Sequence, residues 1–102
     1  MNESRKCAWC DKEITGEIFG ITGNVDKKTL DTAEFKLNRG SEIEMEFPSI
    51  SKMVRVIITG KDSQAEKEGW DVIWATCSDE CREGLEGAIA NERLFLRIAR
   101  SN

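Results

Sequence analysis

The stretch Thr76-Cys77-Ser78-Asp79-Glu80-Cys81-Arg82-Glu83 decides how this chain reads. It closes an apolar run, Val72-Ile73-Trp74-Ala75-Thr76, and opens a segment with helical character. Ser78 is a good N-cap, and Asp79, Glu80, Glu83 and Glu86 crowd the first half of that segment, where negative charge complements the helix dipole. Thiolates at Cys77 and Cys81 would sit beside free helical N–H groups, which stabilise negative sulfur. A second pair, Cys7 and Cys10, has the spacing of a zinc knuckle, a tight turn whose N–H groups point at sulfur. Residue 11 is where such a turn wants a left-handed backbone; glycine is best there and Asp11 is tolerated. Four cysteines fill a tetrahedral zinc shell and leave no position for water or substrate, so the expected site is structural, with Cys7, Cys10, Cys77 and Cys81 as metal ligands. Two disulfides, unconnected buried thiols, and an iron or iron–sulfur centre are the alternatives.

These residues carry a resemblance. Cys7-Ala8-Trp9-Cys10-Asp11-Lys12 resembles the knuckle of treble-clef zinc fingers, and Thr76 to Glu83 resembles the second half of the TRASH and MYM-type fingers, in which an aromatic-Cys-Ser-x-x-Cys-Arg run enters a helix. The resemblance covers about a quarter of the chain. It implies that the four cysteines are ligands of one treble-clef-like zinc site joining the knuckle to the helix start. Asp11 stands where glycine is usual, Thr76 stands where the aromatic would be, and residues 11–76 separate pairs that a short hairpin usually joins. The middle then reads as a sheet inserted into a treble clef. Such fingers handle metals, proteins or nucleic acids, so the resemblance implies a scaffold and leaves the task open.

Composition narrows the choice. With 102 residues the chain reads as a single zinc-binding domain spanning 1–102, near the size where a staple helps a small core. Fifteen basic residues against nineteen acidic ones give a net charge of -4, which does not suit general phosphate-backbone binding. No run is apolar enough to span a membrane, and no apolar h-region follows the polar opening residues, so a cytoplasmic, reducing location is expected. There metal binding by cysteines is favoured over disulfides. The chain has neither His nor Tyr, which removes two common acid–base groups, and no nucleophile pair or phosphate loop is visible. The expectation is a non-enzymatic protein.

Between the cysteine pairs the pattern is that of a sheet. A strand is expected around 17–22, a loop over 22–28, and a strand over 29–37, where helical spacing competes. Glu42 to Phe47 alternates cleanly, with Ile43, Met45 and Phe47 on one face and three glutamates on the other. Pro48 stops it. Lys52 to Thr59 is the next strand, 60–69 a polar hairpin loop, and Trp70 to Thr76 a central strand pairing with it. Trp70 and Trp74 then share a buried face. One helix is expected from Ser78 to about Arg100, burying Cys81, Leu85, Ala88, Phe95, Leu96 and Ala99, with Glu92 as a blemish in its apolar stripe. The fold class is α+β: a small antiparallel sheet with one long C-terminal helix, pinned by zinc.

Candidate contact residues follow from this layout. Trp9, between two ligands, either contacts a partner or covers the sulfurs. Leu94 and Ile98 fall off the helical stripe and are covered either by the sheet or by another chain. Arg93 and Arg97, with Arg82 and Arg100, fall within roughly a sixth of a turn on a helical wheel. The leading function is therefore a zinc-stabilised protein-interaction module, a small regulator or adaptor that engages a protein partner or a second copy of itself. The alternatives are a nucleic-acid-binding regulator using the arginine row, which the acidic charge opposes, and a thiol-based metal or redox sensor.

Overall fold

The computed structural model describes residues 5–101. Five strands form one antiparallel sheet: β1 (Phe19–Val25), β2 (Glu42–Phe47), β3 (Lys52–Ile58), β4 (Val72–Thr76) and β5 (Phe95–Ser101). Their spatial order is β2-β3-β4-β1-β5. The short helices α1 (Lys27–Leu30) and α2 (Ala33–Leu37) follow β1, α3 (Gln64–Lys67) lies between β3 and β4, and α4 (Asp79–Ala90) follows β4. The α+β class is as expected.

The alternation of side chains sets the layers. Ile43 opposes Val56, Met45 opposes Val54, Ile58 opposes Val72 and Ile21 opposes Trp74, so these residues share one face. Leu85, Ala88 and Ile89 of α4 complete a core over that face, and Phe35 of α2 closes its other end. Glu42, Glu44, Glu46 and Arg55 lie on the opposite face, as the glutamate alternation implies.

β1 runs on to Val25 through residues expected as a loop, and α3 lies within the expected 60–69 loop; two further segments depart more strongly. Residues 27–37 form two short helices in place of a strand. Asp26 and Thr32 cap them, their side chains accepting from the N–H groups of Thr29 and Phe35. The larger departure is at the C-terminal end. Helix α4 stops at Ala90 with Asn91 as its cap, and residues 95–101 become β5 against β1. The reason lies in β1, which is almost wholly buried and has backbone groups to satisfy on both edges. β5 supplies the second partner. Phe95 sits edge-on to Trp74 at 5.0 Å between ring centroids and 5.6 Å from Phe47, a packing that a continued helix would forgo. Glu92 leaves the stripe to accept from the Ser49 N–H at 3.1 Å and from the Ser49 hydroxyl, which explains its place among apolar neighbours. The register shifts between Asn24 and Val25, and Leu96 has no opposite residue. Leu96, expected in the core, is therefore 67% exposed.

Candidate metal centre

The structure brings the four expected cysteines together: their sulfurs all lie within 4.8 Å of one another. They arrive on three pieces of local structure. Cys7 and Cys10 occupy a tight turn closed by Asp11 N–H to Cys7 O at 3.0 Å and by Cys7 N–H to Lys12 O at 2.7 Å. Asp11 follows in the left-handed conformation, φ 67°, that the turn demands. Cys77 directly follows β4, and Cys81 lies in the first turn of α4, where its N–H donates to the Ser78 hydroxyl at 3.1 Å.

The knuckle docks where the β3–β4 ladder runs out. Those strands pair at Ile57–Ile73 and Ile58–Val72. Nearer the sulfurs, the Ala8 N–H takes the β4 edge, donating to Ala75 O at 2.8 Å. From β3, Arg55 pairs with Asp11 and the Lys52 ammonium donates to the Trp9 carbonyl. The Trp9 ring lies under Lys52 at 4.7 Å and against α4 at Gly84, so Trp9 is a packing residue of the knuckle. Sequence reasoning did not find the Lys52 and Arg55 braces; they lie far from the knuckle in sequence and sit on an ordinary strand pattern.

The sulfur geometry fits a metal ion. Cys10 Sγ is 3.5 Å from Cys77 Sγ, and Cys77 Sγ is 3.7 Å from Cys81 Sγ. A tetrahedral ion with metal–sulfur bonds of about 2.3 Å requires sulfurs about 3.8 Å apart, whereas a disulfide requires about 2.05 Å. Three N–H groups aim at Cys7 Sγ: Trp9 at 3.4 Å, Cys10 at 3.5 Å and Cys77 at 3.4 Å. Burial pushes the Cys7 thiol up, but these N–H groups outweigh it and bring it down to about 7. Cys77 goes the other way. Burial, then the sulfurs of Cys10, Cys81 and Cys7, push it up to about 12. Burial also raises Cys81. A cation among the four sulfurs would let all of them ionise, and a sulfur-only donor set suits zinc or iron.

Arg82, next to the last cysteine, is 7% exposed; it pairs with Asp79 at 2.6 Å and lies over the Phe19 ring at 5.3 Å. This buttresses the first turn of α4 against β1.

The remaining candidate residues lie elsewhere. Leu94 and Ile98 are half-buried against the core. The arginine row does not exist, because it required a helix through Arg100. Arg82 is buried on α4, and Arg93 is exposed in the turn before β5. Arg97 and Arg100 fall on opposite faces of β5, opposite Asn24 and Ile21. Arg97 donates to Asn24 Oδ1 at 3.2 Å and covers the Trp70 ring at 4.5 Å, while Arg100 pairs with Glu86 at 2.8 Å. Trp74 is fully buried, but Trp70 precedes β4 and is only half-buried. Among the described residues no helix is long and apolar enough to cross a membrane. No family model matches the chain, and no curated protein or solved structure matches it.

Proposed function

We propose that this chain is a non-enzymatic module, built on a structural zinc ion held by Cys7, Cys10, Cys77 and Cys81, that works by binding another protein in a reducing compartment such as the cytoplasm. The gathering of the four sulfurs within 4.8 Å of one another carries the reading. A shell closed by four sulfurs offers a substrate no coordination position, so the ion acts as a clasp between knuckle, β4 and α4. A knuckle followed by a Cys-Ser-x-x-Cys-Arg helix entry supports a treble-clef origin of the TRASH or MYM type. The contact surface is assigned to the β5 edge. There Leu96 projects, while Leu94 and Ile98 support the strand from below.

Metal analysis of the purified protein, with a thiol count before and after chelation, tests the clasp. One zinc per chain and four thiols released on chelation are expected. Iron, or a metal-free chain with disulfides, would contradict it. Co-purification from the native host compares the wild type with Leu96→Glu. A specific protein lost on substitution supports the interaction role, and recovery of nucleic acid alone opposes it. A second reading, a thiol-based sensor, is favoured by the exposure of Cys10. It requires mild peroxide to release the metal and a reductant to restore it.

A further inference from the structure

At the end of the sheet remote from the cysteines, a cavity of about 370 Å³ opens between α1, α2 and the β3–β4 connection. Its volume falls within the range of small-molecule sites, roughly 300–1,000 Å³. Leu30, Phe35, Ile58 and Trp70 give it an apolar lining. Lys36, Arg39, Glu66 and Asp71 supply the charges.

The charges are not equally free. Arg39 has its charge paired: it forms an ion pair with Glu66 and donates from Nε to Thr59 O at 2.9 Å. Glu66 also accepts the Asp62 N–H at 2.8 Å on its other oxygen. Asp71 is held through one oxygen only, Oδ2, which accepts from Asn24 Nδ2 and the Val25 N–H, each at 3.1 Å. Its Oδ1 takes no hydrogen bond, and Lys36 forms no ion pair, among the described residues. One carboxylate oxygen, Asp71 Oδ1, and one ammonium, that of Lys36, therefore remain without an ion pair around an apolar lining.

The wall is also fixed in place. The Trp70 N–H donates to Ala65 O at 2.9 Å, the Asp71 N–H to Gly23 O at 2.9 Å, and the Thr59 hydroxyl to Trp70 O at 3.0 Å. Behind it Arg97 stacks on Trp70 and holds Asn24, which in turn holds Asp71. A site arranged before binding avoids the entropy of ordering these groups when a ligand enters.

We infer that this cavity binds a small zwitterion with an apolar body, of the class of free apolar amino acids. The ammonium meets Asp71, the carboxylate meets Lys36, and the side chain lies among Leu30, Phe35, Ile58 and Trp70. The Asp71 pair forms beside apolar walls, where it is worth more than in open water, and exposed Lys36 meets the carboxylate at the rim.

The test is an amide-resolved NMR titration of the metal-loaded protein with three probes sharing one ring: L-phenylalanine, 3-phenylpropanoate without the amine, and phenethylamine without the carboxylate. L-Phenylalanine is expected to give saturable shifts at Phe35, Lys36, Trp70 and Asp71 and to bind at least about tenfold more tightly than either single-charge probe. Lys36→Gln should reduce phenylalanine to the level of phenethylamine, and Asp71→Asn to that of 3-phenylpropanoate, with the rest of the spectrum unchanged. Lys36 is exposed, so its substitution leaves folding intact even if Asp71→Asn does not. Lack of saturation at these amides up to roughly 10 mM, shifts centred elsewhere, or equal affinity for a single-charge probe would overturn the assignment.

Discussion

Two glycines of α4 separate helix propensity from packing at the scale of single residues. A Cβ at Gly84 would lie 2.7 Å from Trp9 Nε1 and 2.8 Å from Trp9 Cε2, whereas one at Gly87 meets nothing within 4 Å. Gly87→Ala is expected to stabilise the protein by up to about 1 kcal/mol through helix propensity alone. Gly84→Ala gains the same propensity but forces the Trp9 ring off the helix, for a net loss of about 1–3 kcal/mol. Denaturant midpoints of the metal-loaded variants check the opposite signs. The Glu86–Arg100 pair adds a pH dependence. Hydrogen bonding from Arg100 holds the Glu86 carboxyl below its usual value of 4.5. A carboxyl depressed in the folded state contributes stability above the unfolded value and loses it as pH falls through the folded one. The stability gap between wild type and Glu86→Gln should therefore be complete near neutrality and shrink below about pH 4.5. A gap that stays constant across that range would refute the linkage.

Strand β5 is the element on which sequence and structure part most instructively. Leu94-Phe95-Leu96-Arg97-Ile98-Ala99 satisfies helical spacing, and neither glycine nor proline interrupts it after Gly87. Asn91 is the one stop signal, and it is a weak one. The deciding influence is non-local: β1 requires a partner on its free edge, and Phe95 finds Trp74 and Phe47 only from a strand. No local pattern carries that information. The same applies to residues 29–37, where the caps Asp26 and Thr32 outweigh an alternation of three apolar residues. By contrast Glu42–Phe47 was fully legible, because its alternation agrees with half-burial and Pro48 marks its end. Phe95→Ala removes a ring shared by two strands and should cost about 3 kcal/mol, read from urea unfolding. If Phe95 merely decorated an exposed edge, the loss would stay below about 0.5 kcal/mol.

For the whole molecule, an ion held by the four clustered cysteines would tie residues 7–10 to 77–81 and so close most of the chain into one loop. Their spacing and the Ser78 cap made this site legible in sequence, because a knuckle and a helix entry are local motifs. The cavity beside Trp70 was not legible, since α1, α2 and the β3–β4 connection meet only in the folded sheet. Chelation at neutral pH is expected to lower the thermal midpoint by tens of degrees, since a structural ion supplies free energy comparable with the stability of an entire domain. Hydrogen exchange should then rise first in the knuckle and the first turn of α4, while the amides of the central strands β1 and β3 remain protected longest. Uniform loss of protection would mean that the core cannot stand without the clasp. The central claim is that four sulfurs, and nothing else, hold one zinc ion. X-ray absorption at the metal edge of the purified protein tests it most directly: four sulfur scatterers at about 2.3 Å are predicted, and a shell containing nitrogen or oxygen, or an iron edge in place of zinc, would contradict it.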